Sequence, residues 1–77
     1  MPQPMYQQIA EDLRKKIESG SLEPGEQLPT EIELRDEYSA SRNTIRDAIK
    51  RLHSMGLLET QVGIGTFVAR RIDGDSD

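Results

Sequence analysis

The feature that most constrains the fold is a break of only a few residues between two helical patterns in the middle of the chain. The first pattern opens with "PTEIEL", where Thr30 is suited to cap a helix and Glu33 completes a capping box. The second follows the short stretch "SAS", in which Ser41 is the expected cap. Two helices joined this tightly must cross at a steep angle, so a helix-turn-helix is predicted over about residues 31–53.

Apolar spacing predicts the elements that surround this pair. A first helix is expected from about Met5 to Ser19, with Pro4 in its first turn and Gly20 as its stop. The third helix is expected over residues 42–55, ended by Gly56. The expected apolar contacts are Ile32, Leu34 and Tyr38 on the second helix, and Ile45, Ala48, Ile49, Leu52 and Met55 on the third.

After Gly56 the pattern changes to two short β-prone runs, "LLETQV" and "TFVAR", separated by "GIG". Such runs around a glycine-containing turn predict a β-hairpin over about residues 57–69. In the loop before the second helix, Leu22 and Leu28 are expected core anchors, and residues 27–28 are candidates for a very short strand. The predicted fold is α+β, mainly α: a winged helix-turn-helix of three helices and a two-stranded wing over residues 5–70. Residues 1–4 are expected to be a flexible start, and residues 71–77 an acidic tail or truncated linker.

Composition narrows the possible functions. The chain has 77 residues and no cysteine, which allows one small domain and excludes disulfides, thiolate zinc sites and cysteine nucleophiles. The single histidine, His53, has no partner for catalysis, so neither an enzyme nor a cofactor or metal site is expected. The start "MPQPMYQQ" lacks the apolar run of a signal peptide, and no stretch approaches the roughly 18 apolar residues that cross a membrane. A cytoplasmic location is therefore expected.

Charge is distributed unevenly along the chain. The net charge is −4, from 14 acidic and 10 basic residues, yet four of the basic residues fall between positions 42 and 51. At about 100° per residue, Asn43, Arg46 and Lys50 lie opposite the apolar stripe with Arg42 beside them. Thr44 and Arg51 lie together on one flank of the same helix. The third helix is therefore expected to expose a basic face on an acidic protein.

These residue types suit a DNA groove. Arginine can donate two hydrogen bonds to guanine, and asparagine can pair with adenine through both its groups. Lys50 and Arg51, further along the helix, are better placed to contact phosphates. In the hairpin, Gly63 and Gly65 permit close approach of the backbone to phosphate or sugar, although a hairpin turn requires glycine in any case.

An alternative is a winged-helix module that binds another protein, which the net charge and the acidic tail favour. Such a module should expose apolar or aromatic anchors on its recognition helix. This helix exposes arginine, asparagine and lysine instead. Sequence-specific DNA binding is therefore the favoured prediction.

With these motifs identified, the chain resembles the GntR family of bacterial transcription regulators. "LPTE", "SRNTIRDAIKRL", "GLLE" and "GTFV" occur in the family's order and spacing, from about Tyr6 to Val68. The start "YQQI" is similar to the HutC-type branch, whose effector domain resembles chorismate lyase. The resemblance implies operator DNA as the partner, usually for repression. It also implies a homodimer and a small-molecule effector, both through a C-terminal domain not present here. The sequence shows no coiled-coil heptad and no exposed apolar helix for dimerisation, so the isolated chain is expected to be mostly monomeric.

The resemblance also implies roles for particular residues. Arg42, Thr44 and Arg46 match family residues that contact DNA in the major groove, and Asn43 occupies a variable position suited to set sequence preference. The wing at residues 62–66, with Gly63 at its tip, would enter the adjacent minor groove. The full set of expected DNA-binding residues is Arg35, Ser41, Arg42, Asn43, Thr44, Arg46, Lys50, Arg51, Gly63, Gly65 and Thr66.

The chain departs from the family pattern at two positions. Ile32 stands where the family often has a DNA-contacting arginine, and Arg35, one turn further on, is the candidate substitute. Ile64 replaces the arginine of the common "GRGT" wing. A weaker or apolar wing contact is therefore expected.

Overall fold

The computed structural model describes residues 4–70. Of the expected flexible start only Pro4 is described, and the expected acidic tail at 71–77 lies outside the described residues. The elements follow in the order α1 (Met5–Ser19), α2 (Glu31–Tyr38), α3 (Arg42–Ser54), β1 (Leu58–Gln61) and β2 (Gly65–Val68). The two strands pair antiparallel, with Leu58 opposite Val68 and Gln61 opposite Gly65. The predicted three helices and hairpin are confirmed.

Local capping chemistry fixes where the helices begin and end. The Thr30 hydroxyl accepts a hydrogen bond from the Glu33 amide at 3.1 Å, and the Glu33 carboxylate accepts one from the Thr30 amide at 2.9 Å. This is the predicted capping box. At the next helix the Ser41 hydroxyl accepts from the Thr44 amide at 3.2 Å. Gly20, with φ of +92°, ends α1 in the left-handed conformation that glycine adopts without strain.

The turn between α2 and α3 consists of residues 39–41 and contains a conformation that the sequence did not reveal. Ser39 has φ of +53°, and its amide donates to the carbonyl of Arg35. Within residues 4–70 it is the only residue other than glycine with a positive φ. The Cβ of an L-residue is crowded in this region at a cost of roughly 1–2 kcal/mol, so the tight turn is strained.

The core lies between α1, α3 and the base of the hairpin. Ala48 and Leu52 of α3 are both 0% exposed. The other buried core residues are Ile9, Ala10, Leu13, Leu28, Leu34, Ile45, Leu57, Leu58 and Val68. Leu22, Tyr38 and Ile49 are partly buried against this cluster. The predicted anchoring roles of Leu28 and Leu22 are thus confirmed, Leu28 as a fully buried residue and Leu22 as a peripheral one.

Two residues predicted to contact the core do not. Ile32 is 71% exposed, because it lies about 200° around the short α2 helix from the buried Leu34. Met55 is 39% exposed, because α3 ends at Ser54 and the chain then turns through Gly56. Leu57, whose amide donates to the carbonyl of Leu52 at 3.1 Å, is buried instead.

The loop before α2 pairs with the outer edge of β2. The Leu28 amide donates to the Thr66 carbonyl, and the Val68 amide donates to the Glu26 carbonyl, both at 2.8 Å. Gln27 and Phe67 form an isolated antiparallel bridge. The very short strand expected near residues 27–28 is therefore present as a bridge, and β2 is paired on both edges.

Polar contacts tie α1 to α2. The Tyr38 hydroxyl donates a hydrogen bond to the Asp12 carboxylate. The Lys16 ammonium lies 3.5 Å from the Glu37 carboxylate. Partial burial raises the pKa of the Tyr38 phenol, and the hydrogen bond and negative charge of Asp12 raise it further. The folded chain thus holds this phenol in its protonated, donating form.

We expect Ser39→Gly to stabilise the fold. Glycine lacks the Cβ that is crowded at φ of +53°, so the free energy of unfolding should rise by about 1 kcal/mol. Urea denaturation of the two chains measures the difference. Ser39→Ala retains the Cβ and is the matched control, for which no gain is expected. An equal gain from alanine would show that the turn is not strained in this way.

We expect Tyr38→Phe to destabilise the fold at neutral pH by about 1 kcal/mol, because the hydrogen bond to Asp12 is lost. The pKa of Tyr38 is higher in the folded chain than the value of about 10 in the unfolded chain. The native advantage of tyrosine is therefore fully present below pH ~10 and is lost as the pH rises above it. Urea denaturation from pH 7 to 11 should show the two chains converging at high pH. A gap that stays constant would contradict the assignment.

Candidate nucleic-acid interface

The outer side of α3 carries the predicted basic face. Arg42, Asn43, Arg46 and Lys50 are all exposed and are together called the recognition face. Asn43, Arg46 and Lys50 line one shallow depression, in which Asp47 also takes part. Helical periodicity therefore predicted the position of these three residues correctly. Asp47 lies four residues after Asn43, so the same periodicity places this acidic side chain among them.

The cations of the recognition face are less neutralised than those of α1. On α1, Arg14 forms ion pairs with Glu11 and with Glu18, the latter at 2.7 Å. The hydrogen bond from Arg14 lowers the pKa of Glu11, and the two carboxylates raise the pKa of the guanidinium. Within residues 4–70, Arg42 and Lys50 form no ion pair.

Arg46 is the member of the recognition face with an acidic neighbour outside its own helix. Its Nε lies 3.8 Å from a carboxylate oxygen of Glu31, at the start of α2. Both side chains are exposed to water. A pair of this length and exposure contributes at most about 0.5 kcal/mol, so Arg46 is held only weakly.

Other expected contact residues lie around the recognition face. The Ser41 hydroxyl donates to the Thr44 hydroxyl at 3.0 Å, in addition to its capping role. Arg51 is exposed, and its charge is among those that lower the pKa of Glu11 on α1, so it lies toward the α1 flank. Arg35 lies beside Ile32 in a separate depression on α2. Contact with DNA remains a prediction for each of them.

A cleft separates α3 from the wing. Lys50 and His53 border it on the helix side, and Thr60 and Thr66, which are paired across the two strands, border it on the hairpin side. The Nε2 of His53 lies 2.7 Å from the Thr60 hydroxyl oxygen. His53 is half-buried at this junction. Its link to the wing had no signal in the sequence.

The wing tip is a tight turn at residues 62–64. The Ile64 amide donates to the Gln61 carbonyl at 2.9 Å, and Gly63 has φ of +81°. Gly65 also has a positive φ, of +151°, and a Cβ there would lie 2.5 Å from Nε2 of Gln27, so another residue would be strained and would displace the end of that side chain. That amide donates to the Ile64 carbonyl at 3.3 Å. The close approach that Gly65 permits in the free chain is therefore that of Gln27.

Residues 4–70 contain neither a metal cluster nor a membrane-spanning helix. Within residues 4–70, no group of three histidine, aspartate or glutamate side chains could hold a metal ion. None of the helices there is long and apolar enough to span a bilayer.

Three helices, a tight turn before an exposed basic helix and a two-stranded hairpin define a winged helix-turn-helix domain. Residues 5–68 match the model of the bacterial regulatory proteins of the gntR family. The chain belongs to this family. Membership of a family of regulatory proteins confirms that the chain is not an enzyme.

Named relatives agree with this assignment. The chain is 45% identical over 65 residues to the mannosyl-D-glycerate transport/metabolism system repressor MngR of Escherichia coli (strain K12), covering 84% of this chain and 27% of that protein. It is 40% identical over 68 residues to the histidine utilization repressor of Klebsiella aerogenes, covering 88% of this chain and 28% of that protein. The expected likeness to HutC-type regulators is confirmed. The chain spans about a quarter of the length of these relatives.

A solved structure shows the same fold with DNA bound. The crystal structure of AraR(DBD) in complex with operator ORR3 superposes with a TM-score of 0.85 at 43% identity. The match covers 90% of this chain and 83% of that chain. The predicted winged helix-turn-helix is thereby confirmed.

We expect Thr60→Val to loosen the wing from α3. Valine keeps the β-branched shape but cannot bond to His53, so the free energy of unfolding should fall by about 0.5–1 kcal/mol. Amide hydrogen exchange of β1 and β2 should also become faster. Thr66→Val is the matched control, because in residues 4–70 the Thr66 hydroxyl has no side-chain partner. Equal effects of both substitutions would argue against the proposed link.

Proposed function

We propose that this chain binds double-stranded operator DNA, with α3 in the major groove and the wing in the adjacent minor groove. The observation that carries the proposal is the recognition face. On a chain of net charge −4, it presents Arg42 and Lys50 without an ion pair in residues 4–70, the weakly paired Arg46 and an asparagine. Membership of the gntR family and the AraR(DBD) complex with an operator support it.

The residues of α3 have different roles along the helix. Arg42, Asn43, Thr44 and Arg46 lie in the first turn and a half, which is the part of a recognition helix that reaches base edges. Lys50, a turn further on, contacts phosphate and supplies affinity without sequence information. Arg35 and Arg51 act as further phosphate contacts on either flank. Ser41 orients Thr44, while Gly63, Gly65 and Thr66 belong to the wing.

Release of Arg46 from Glu31 is favourable on binding. The exposed 3.8 Å pair contributes at most about 0.5 kcal/mol. A bidentate contact of arginine with guanine contributes roughly 1–3 kcal/mol of discrimination. Replacing the Glu31 contact of Arg46 by a guanine contact is therefore favourable. When no guanine is in reach, Arg46 keeps its weak pair with Glu31.

The relatives carry the name repressor, so we propose that the outcome of binding is repression. A single module with few phosphate contacts binds weakly, and useful affinity needs two half-sites bound together. We propose that two copies bind the operator, held together by a C-terminal region outside this chain that also takes the effector. This assigns the protein to the cytoplasm, with the bacterial DNA. Sedimentation of this chain alone should show a monomer, and a tight dimer would overturn this part of the proposal.

Backbone amide NMR shifts recorded while a short generic DNA duplex is added at low salt test the proposal directly. Shifts should concentrate at residues 42–46 and 63–66 and fade as salt is added. If the amide signals of α3 did not shift at low salt, DNA binding by this domain would be contradicted. The protein-contact alternative would then be preferred, with the exposed Ile32, Val62 and Ile64 as its anchors.

Lys50→Ala should weaken duplex binding and lower the slope of log K against log salt by about 1, because one phosphate contact is lost. Lys15→Ala is the matched control, since Lys15 is also exposed but lies on α1. Fluorescence anisotropy at several salt concentrations gives both slopes. If the two variants behaved alike, the effect would be one of net charge and not of the recognition face.

A further inference from the structure

The wing of this chain has an unusual surface for an element beside a basic helix. At its tip Val62 is 95% exposed and Ile64 is 64% exposed. The sequence from 57 to 69 contains no lysine, arginine or histidine, and Glu59 is its one charged residue. The wing therefore offers apolar surface and backbone groups, and has no cation with which to pair a phosphate.

We propose that the wing tip reads the minor groove by apolar contact, through Val62 and Ile64, with a preference for A·T base pairs. The inference rests on the proposed function, because it assumes that α3 occupies the neighbouring major groove. Thr60 and Thr66 of the wing strands line the same cleft as Arg46 and Lys50 of the recognition face, and the tip is the turn that joins these two strands. The wing tip therefore contacts the same DNA duplex that α3 binds.

The preference for A·T follows from the chemistry of the turn. In residues 4–70 the amide of Gly63 has no hydrogen-bond partner, so it remains available as a donor at the tip. The minor-groove edges of A·T and T·A present only the acceptors N3 and O2, whereas G·C adds the amino donor of guanine. That amino group projects from the groove floor and would meet a second donor and two aliphatic side chains. Apolar side chains are a recurrent means of minor-groove contact, and isoleucine is among those used.

The tip is also held in place before any DNA arrives. Gln27 bonds to the Ile64 carbonyl from one side, and His53 contacts Thr60 from the other. Residues 26–28 pair with the outer edge of β2. A contact surface that is already ordered loses little conformational entropy on binding, so exposed valine and isoleucine can contribute most of their apolar burial.

The absence of cations predicts how this contact responds to salt. Affinity that comes from phosphate contacts falls with salt, because binding releases counterions. An apolar tip releases none. The wing contribution should therefore be the same at low and moderate salt, in contrast to that of Lys50.

The test begins with a pool of short duplexes that carry randomised central base pairs. The full 77-residue chain selects from this pool at low salt, and sequencing identifies the bound duplexes. A·T pairs should be enriched at positions flanking those that α3 selects. The Val62→Thr/Ile64→Thr double variant should bind the best selected duplex roughly tenfold more weakly at every salt concentration, with the salt slope unchanged. Its A·T enrichment at the flanking positions should fall, because the Gly63 amide remains but the two aliphatic contacts are gone.

Two controls make the result decisive. Both side chains are exposed, so the double variant should keep the unfolding midpoint of the parent chain, which separates contact from folding. Ile64→Arg adds a cation at the same place and should steepen the salt slope by about 1. Unchanged affinity of the double variant, or a changed slope, would overturn the apolar wing while leaving DNA binding by α3 intact. Failure of the parent chain to select any duplex would overturn the proposed function itself.

Discussion

Burial of one face of α3 against α1 is the constraint on which the rest of the molecule depends. Ala48 and Leu52 are fully buried there, and Ile45 is 1% exposed. Successive helical residues are about 100° apart, so burying these three commits Asn43, Arg46 and Lys50 to the opposite side. Core packing therefore determines which side chains of α3 are exposed to a partner. A larger side chain at the fully buried Ala48 would have to displace packed neighbours and would disturb this arrangement.

The wing depends on a second set of contacts, because a two-stranded hairpin is only marginally stable by itself. Residues 26–28 supply backbone partners to the outer edge of β2, and His53 supplies a contact from α3. The hairpin is thus fixed relative to the recognition face from both sides. A wing that moved independently would lose entropy on binding, whereas a fixed one presents its tip at a set distance from α3.

The sequence predicted those features that depend on neighbouring residues. The capping box at Thr30 and the cap at Ser41 involve residues three positions apart, and the orientation of the recognition face follows from helical periodicity. The sequence did not predict features that depend on partners far away along the chain. Gln27 reaches Ile64 across 37 positions of the chain, and nothing in either local pattern indicates that contact. Ile32 was wrongly assigned to the core because α2 is too short to establish a stripe. The left-handed conformation of Ser39 lies in the three-residue turn between α2 and α3, and serine is not the residue that usually signals it.

The acidic balance of the chain is compatible with DNA binding because of where the acids are placed. On α1, Glu11, Glu18 and Asp12 lie beside Arg14 and Lys16, so their charges are largely compensated within that helix. Screening limits electrostatic fields to about 8–10 Å at ordinary salt, so a partner at the recognition face senses mainly the charges on and beside it. There the three cations Arg42, Arg46 and Lys50 outnumber the acids Asp47 and Glu31. Non-specific DNA binding draws on sequence-independent phosphate attraction, which a net charge of −4 weakens over the rest of the surface. Base contacts in the groove are short-ranged and are not weakened in the same proportion. An acidic domain with one basic face therefore raises the ratio of specific to non-specific binding, which is the quantity that matters when competing sites vastly outnumber operators.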